Sequence, residues 1–482
     1  MKLSRNQLLF FGLAAHLLAA FFSIGAHQCD EIFQVYEFAG FKLGLNTAAE
    51  LPWEFHEQMR SGIQPFIVYC VTRALNSVSV QNPFTIATII RLLQSLFSFM
   101  VMLQFIKVIE KEMTSQKNRL WLWAFSLLFW CLPYFHARFS SENFSSTLFM
   151  LALVMLLKTI KIQPSYITLL LAGVIFGIAF ESRFQTSFMI IGLFLWLLLI
   201  RKLQFRFVFI IFFGLVLSLG LGLMADHWLY GKWTLSWWNY IDLNLFKDKA
   251  SAFGREPFYY YIGEGLLQLI PPFSLVIIWF IAAFWTRFKT HVITWITLPF
   301  ILLHFFVAHK ELRFLFPVLN FLPFMVLYYF QAIENYPNRF VAVLRSKGFM
   351  KFAVTVNVLL LVYYTFKPAD NSTPFLKQVY QLSDGNAVTV LYSENDPYSD
   401  MSSLHYFRNP NIKTIDVKAG CIQLDKQLPL YFFSNDFNSP LLLVKKNIVF
   451  IKQYSSFPAW FAYLNFNGWV GRSDPFSIYK AY

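Results

Sequence analysis

The chain is written as a succession of about eleven apolar runs, most of them near the length a helix needs to cross a bilayer. A crossing helix takes roughly 20 predominantly apolar residues, because lipid offers no water to satisfy an open backbone. The runs fall near 7–26, 84–106, 120–137, 144–160, 165–181, 187–200, 207–225, 264–284, 291–308, 314–333 and 352–366. Composition points the same way: 57% of the 482 residues are hydrophobic and 14% are charged, against roughly 25% charged in soluble domains. A chain of this length cannot enclose so much apolar surface in a dry core. Lipid must cover part of it.

The net charge of +14 raises nucleic acid as a partner, but the cations are spread through short connections instead of forming one basic stripe. Placing the N-terminus inside, after Lys2 and Arg5, gives basic inside connections throughout. They hold Lys107, Lys111, Lys117 and Arg119; Lys158 and Lys161; Arg201, Lys202 and Arg206; Arg287 and Lys289; and Arg339, Arg345, Lys347 and Lys351. That is the cation bias of a multi-spanning membrane protein. The outside connections carry Asp30, Glu31, Glu37, Glu50, Glu54, Glu57, Glu142, Asp226 and Asp242, together with some cations. This topology requires the stretch 62–80, which contains Pro65 and Arg73, to lie along the interface without crossing. After Lys367 the pattern changes. Alternating segments at Ala387–Tyr392, Ile412–Val417 and Leu441–Ile451, separated by turn signals, predict a small outside α+β domain over 368–482. Four cysteines give no disulfide scaffold and no zinc spacing, although a Cys29–Cys421 bridge is open to the topology.

The outside ends of the runs gather residues that could carry chemistry. His27-Gln-Cys-Asp-Glu-Ile-Phe-Gln34 follows the first run at once. Adjacent carboxylates at a membrane boundary are costly unless solvated, paired or functional, and a solvated helix start is the plain alternative. Leu51-Pro-Trp-Glu-Phe-His56 and Arg60 suit an interfacial helix or a sugar platform. His309-Lys-Glu-Leu-Arg-Phe314 puts four titratable residues into one tight connection, as a phosphate seat or an ion-pair turn would. Lys310 and Arg313 are three apart, so one helical turn would aim both the same way. Arg138 and Arg183 also fall at outside ends, against the charge bias. An anionic ligand or snorkelling to headgroups accounts for them.

Together these segments resemble glycosyltransferase family 22, in the GT-C class of polytopic glycosyltransferases. The first segment is similar to the family's His-Pro-Asp-Glu-x-Phe-Gln, with Gln28-Cys29 in place of the single Pro. Trp53-Glu54-Phe55 and Arg60-Ser61 match its Trp-Glu-Phe and Arg-Ser elements. Asp226 with Tyr230-Gly-Lys-Trp233, Asn239 and Asn244 resembles its large loop. His309-Lys310-Glu311-x-Arg313-Phe314 is similar to its most specific signature. The Arg183 region reads Arg-Phe-Gln-Thr and not the commoner Arg-x-Thr.

The resemblance implies an all-α polytopic GT-C enzyme with about eleven transmembrane helices and the small C-terminal domain. Residues 1–367 would form the transferase domain, with catalytic outside loops 27–83, 226–263 and 309–313. It would move mannose, by inversion, from a polyprenyl- or dolichyl-phosphate carrier to a hydroxyl of a glycolipid or glycan. The resemblance makes Asp30 the expected base and Glu31 the second choice. Lys310, Arg313 and His309, with Arg138 and Arg183, would bind the donor phosphate; Glu311, Trp53, Glu54, Gln34 and Tyr230 would contact or orient substrate. No metal and no cofactor is expected, because the leaving phosphate is met by side-chain cations. The bilayer is the other partner, either a bacterial cytoplasmic membrane or the endoplasmic reticulum, with the site on the extracytoplasmic or lumenal side. The alternatives are another lipid-linked sugar, or a non-catalytic lipid-linked-glycan transporter.

Overall fold

The computed structural model describes residues 3–162, 164–336, 339–383, 385–392, 398, 405–416, 429–434, 449–456, 463 and 476–482. The described chain forms two compact units. The first comprises Met1–Ser23, Trp53–Val71 and Thr88–Lys367; the second comprises Ile24–Pro52, Thr72–Ala87 and Pro368–Tyr482.

In the first unit every expected apolar run is helical. Side-chain caps set several starts. Ser4 accepts from the Gln7 amide while the Gln7 side chain accepts from Ser4, opening Arg5–Phe22, and Ser165 and Ser346 open Tyr166–Ser182 and Lys347–Phe366 in the simpler way. Phe205–Tyr230 stops at Gly231, which takes φ +73° without a side-chain clash. Prolines break other runs. The expected 120–137 run is Gln116–Leu128 followed by Leu132–His136, with Pro133 in the second piece. The 264–284 run divides around Pro271 and Pro272 into Tyr260–Gln268 and Phe273–Arg287.

Among the described residues five helices are long and apolar enough to cross a membrane, or up to seven if each bent pair is one span. Several runs expected to cross singly are thus shorter or broken helices, Tyr166–Ser182 among them. The stretch 62–80 contains one helix, Ile63–Ser77.

Phe149 packs on Phe176 at 5.1 Å and on Phe321 at 6.4 Å in the core of this unit. Tyr166–Ser182 lies directly against Phe205–Tyr230; a methyl on Gly173 would run into the Ile211 carbonyl. Small residues permit that approach where packing, and not water exclusion, must hold helices together. Phe205, Phe209, Phe212 and Leu221 remain exposed on Phe205–Tyr230, a surface suited to lipid. Inside the unit a polar chain runs from His16 Nε2 to His136 Nδ1 at 2.9 Å, from His136 Nε2 to Asn320 Oδ1 at 2.8 Å, and from Asn320 Nδ2 to Ser146 Oγ at 3.0 Å.

Among the described residues the second unit holds a five-stranded sheet. Its strands are β1 (Val388–Tyr392), β2 (Ile412–Asp416), β3 (Leu430–Ser434), β4 (Phe450–Ser455) and β5 (Ser477–Ala481), in the order β2-β1-β3-β5-β4. β1 pairs in parallel with β2 and β3, whereas β5 is antiparallel to β3 and β4. The helix Ser372–Gln381 places Phe375 on Phe433 and Phe476, at 4.9 and 5.0 Å. Residues 441–448 of the expected Leu441–Ile451 strand, and Cys421 of the Cys29–Cys421 pairing, lie outside the described residues.

Candidate active site

Two arginines and two carboxylates meet where three helical segments of the first unit end. Glu142 stands in the first turn of Ser141–Ile162, Arg183 caps the C-terminus of Tyr166–Ser182, and Arg313 lies in the short turn Leu312–Leu315. An Arg183 Nη1 donates to Glu142 Oε1 at 2.7 Å and to Ser141 Oγ at 3.1 Å. Arg313 forks onto Glu311, its Nε to Oε2 at 2.7 Å and its Nη2 to Oε1 at 2.9 Å, while its Nη1 lies 3.7 Å from Glu142 Oε1. His309 Nε2 meets Glu311 Oε1 at 3.1 Å. Both guanidiniums lie over the Phe314 ring, at 5.2 Å for Arg183 and 5.5 Å for Arg313. Burial pushes the Glu311 carboxyl up, but Arg313, with His309 adding, outweighs it and holds it below the usual carboxylate range.

Arg183 is 6% exposed, and its Nε and Nη2 are buried with no hydrogen-bond partner among the described residues. Nearly every buried polar group in a folded protein is bonded. Unused guanidinium N–H groups beside an immobilised carboxylate are suited to an anion with several oxygens.

Lys310 goes elsewhere. Its Nζ donates to the Val307 carbonyl at 2.6 Å and the Glu256 carbonyl at 3.0 Å, and burial lowers its pKa from the ordinary lysine value although Glu256 pulls the other way. The helical turn begins at Leu312, after Lys310, so the expected common face of Lys310 and Arg313 is absent. Arg138 is 1% exposed and bonds to the Ser23 carbonyl and hydroxyl, apart from the Arg183 and Arg313 contacts.

A second group in the same unit ties loops together. Asp226 accepts from the Gly62 amide at 2.9 Å and the Ser236 amide at 3.1 Å. Tyr230 donates its hydroxyl to the Arg60 carbonyl at 2.6 Å, and Arg60 donates to Glu54 at 2.7 Å. Trp53 stacks on Phe253 at 5.6 Å with the Lys249 ammonium 5.4 Å from its ring, leaving the indole half-buried.

The remaining expected residues belong to the second unit. Asp30 and Glu31 open a helical run that continues as a wide turn over Ile32–Glu37 and then Phe38–Leu43. Asp30 is half-buried; Glu31 is 8% exposed and accepts from the His27 amide at 3.2 Å. Gln34 lies buried in the wide turn, a geometry frequent at functional sites.

The sequence reading placed Glu142 among the outside acids and gave it no role; the structure sets it between Arg183 and Arg313. Its signal was a carboxylate at a span's start, four residues after an outside arginine. Glu181 also went unmarked. It is 1% exposed, and neither oxygen has a partner among the described residues. A cavity of about 310 Å³, lined by Glu112, Trp196, Arg287, His291 and Tyr328 among others, lies away from these groups, beside the connections read as inside.

The chain, mostly helical with polar clusters at helix ends, has the fold of the GT-C class. It matches the crystal structure of ArnT from Cupriavidus metallidurans in the apo state, with a TM-score of 0.52 and 11% identity over 98% of this chain and 97% of that one. The particular family follows from sequence: residues 7–396 match the Alg9-like mannosyltransferase family, and the chain belongs to it. The GPI mannosyltransferase 3 of Candida albicans is 25% identical over 80% of this chain and 73% of its own length. The GPI alpha-1,2-mannosyltransferase 3 of Bos taurus is 23% identical over 74% of this chain, and that of Homo sapiens 25% over 65%. The chain spans 64% of the length of the cattle protein and 55% of the human one.

Proposed function

We propose that this protein is an inverting membrane mannosyltransferase that moves mannose from a polyprenyl- or dolichyl-phosphate carrier to a hydroxyl of a glycolipid of the GPI type. The observation that carries the reading is the Arg183–Glu142–Arg313–Glu311 cluster, with unpartnered guanidinium nitrogens, in a chain of a mannosyltransferase family. The glycolipid acceptor is drawn from the names of the relatives.

The chemistry needs two things. As the acceptor oxygen attacks the anomeric carbon, a carboxylate must take its proton, and Asp30, with Glu31 as the alternative, is our assignment for that base. The bond from the anomeric carbon to the phosphate oxygen breaks at the same time, and the departing phosphate gains charge. Arg183 and Arg313, fixed in place by Glu142 and Glu311, supply positive charge that needs no reorganisation as the bond breaks. Trp53, Glu54, Gln34 and Tyr230 are assigned to contacts with substrate or to the loops that hold it. The active side is the extracytoplasmic or lumenal one, with about eleven crossings, where length and composition alone select five to seven among the described residues.

The test is purified protein in detergent with a polyprenyl-phosphate mannose and a mannosylated glycolipid, the product read as one added hexose by mass. Arg313→Lys keeps the charge and loses the two-pronged contact. It should lower turnover by about two to three decades, more than it weakens donor binding. Unchanged turnover with a lowered melting temperature would make the cluster an ion-pair turn and remove the phosphate assignment.

A further inference from the structure

His304 lies near the C-terminal end of Val292–Phe306, and nothing above gives it a task. Its Nδ1 is 2.7 Å from the Phe300 carbonyl oxygen. A carbonyl only accepts, so Nδ1 carries the hydrogen, and in the neutral ring Nε2 is left with a lone pair. His304 is 1% exposed, and Nε2 has no partner among the described residues. The imidazole is walled by aromatic rings, with Phe300 at 4.3 Å, Phe188 at 6.1 Å and Phe314 at 6.4 Å. Phe314 is the ring over which the Arg183 guanidinium lies. A buried acceptor with no donor and a buried cation with unused donors therefore border the same side chain.

A ligand that satisfies both must present anionic oxygens to Arg183 and, across or beside the Phe314 ring that borders both, a hydrogen to donate. A phosphodiester has no proton to give, so that hydrogen belongs to a hydroxyl. A sugar 1-phosphate carries hydroxyls next to its phosphate; a bare lipid phosphate ester does not. A neutral acceptor also suits the place better than a carboxylate would. It neither competes with Glu142 for Arg183 nor repels the phosphate.

We propose that His304 Nε2 accepts a hydrogen bond from one hydroxyl of the donor sugar, which makes His304 a specificity-determining residue for that sugar. The inference rests on the reading of the arginine cluster as the seat of a polyprenyl-phosphate sugar. It also explains how a site of this kind tells one hexose from another: a buried acceptor rejects a donor that leaves it unpaired.

The experiment is a cycle between enzyme and substrate. Wild type and His304→Phe, both checked for folding by thermal melting, are assayed with polyprenyl-phosphate mannose and with a set of donors each lacking one ring hydroxyl. His304→Phe should lower kcat/KM on the complete donor by about 10- to 100-fold. On one deoxy donor, which wild type already uses as poorly, the substitution should cost nothing further. His304→Gln, whose amide oxygen can accept, should recover part of the loss. If His304→Phe does not fold, His304→Met carries the same cycle. Equal losses on the complete donor and on every deoxy donor would overturn the assignment and leave a packing or water-binding role. Folded wild type that turns over no polyprenyl-phosphate mannose would instead overturn the site reading itself.

Discussion

Glu142 and Glu181 stand at adjoining ends of two consecutive helices, are 3% and 1% exposed, and are furnished in opposite ways. Glu142 has Arg183 at 2.7 Å, Arg313 at 3.7 Å and a place in the first turn of its helix, where the backbone favours an anion. Glu181 has no donor among the described residues. Its carboxyl lies over the bare backbone of Gly222, and the charge that acts on it is that of another acid, Asp226. Two residues of the same class, buried to the same degree, thus do different work. A buried carboxylate with its counter-charges built in organises cations for use. One without them asks for shape and not for charge.

Glu142→Gln should break the comparison hardest. The substitution keeps the shape and takes from Arg183 its paired carboxylate, while Arg313 keeps Glu311; breaking a buried pair in this way costs roughly 3–5 kcal/mol. The melting temperature in detergent should fall, and turnover with the lipid-linked mannose should fall with it. A variant that melts and turns over like wild type would mean that Glu142 does not hold the arginines in place.

Glu37, in the second unit, gives an intermediate case. It is 2% exposed and accepts from Asn46 Nδ2 at 2.8 Å and from the Tyr406 amide at 2.9 Å, neutral donors in place of cations. Burial raises its pKa from 4.5 to about 7, with those hydrogen bonds pulling partly back. The folded state therefore keeps a proton that the unfolded state releases, and stability falls as pH climbs from about 4.5 to about 7. The loss through this group is on the order of 3 kcal/mol. Melting temperatures of wild type and Glu37→Gln between pH 5 and 8 should converge in slope only above about pH 7, with the variant lacking this acid-side gain. Parallel curves throughout would remove Glu37 as the source.

The helices were legible because apolar length is a local property, and the arginines because they run against the charge bias. Arg183 stood out that way, and Arg313 by the crowding of titratable residues into one tight connection. Partners set by long-range folding were not. Glu142 looked like any outside acid until Arg183, 41 residues on, was beside it. The grouping of 24–52 and 72–87 with the C-terminal sheet depends on contacts such as Tyr406 to Glu37, 369 residues apart. The strands Leu430–Ser434 and Ser477–Ala481, Leu-Tyr-Phe-Phe-Ser and Ser-Ile-Tyr-Lys-Ala, lack the apolar–polar alternation that marks a half-buried strand. The common face expected of Lys310 and Arg313 failed for a local reason, since backbone carbonyls claimed the lysine before the turn began.

The smallest effect is expected at Glu181, and it is the one that decides whether burial or pairing sets the role of an acid here. Glu181→Gln replaces a carboxyl by an amide of nearly the same volume, over the same Gly222 backbone. With no donor to lose, the change should move stability by no more than about 1 kcal/mol in either direction. Turnover should stay within about threefold of wild type, since no substrate role is assigned to the residue. Glu142→Gln, measured beside it, differs only in what the carboxyl holds. A Glu181→Gln loss as large as that at Glu142 would show that Glu181 works as a charge, and the contrast drawn between the two helix ends would fail. A small change at Glu181 beside a large one at Glu142 would make the arginines, and not enclosure, the reason an acid at a helix end matters in this protein.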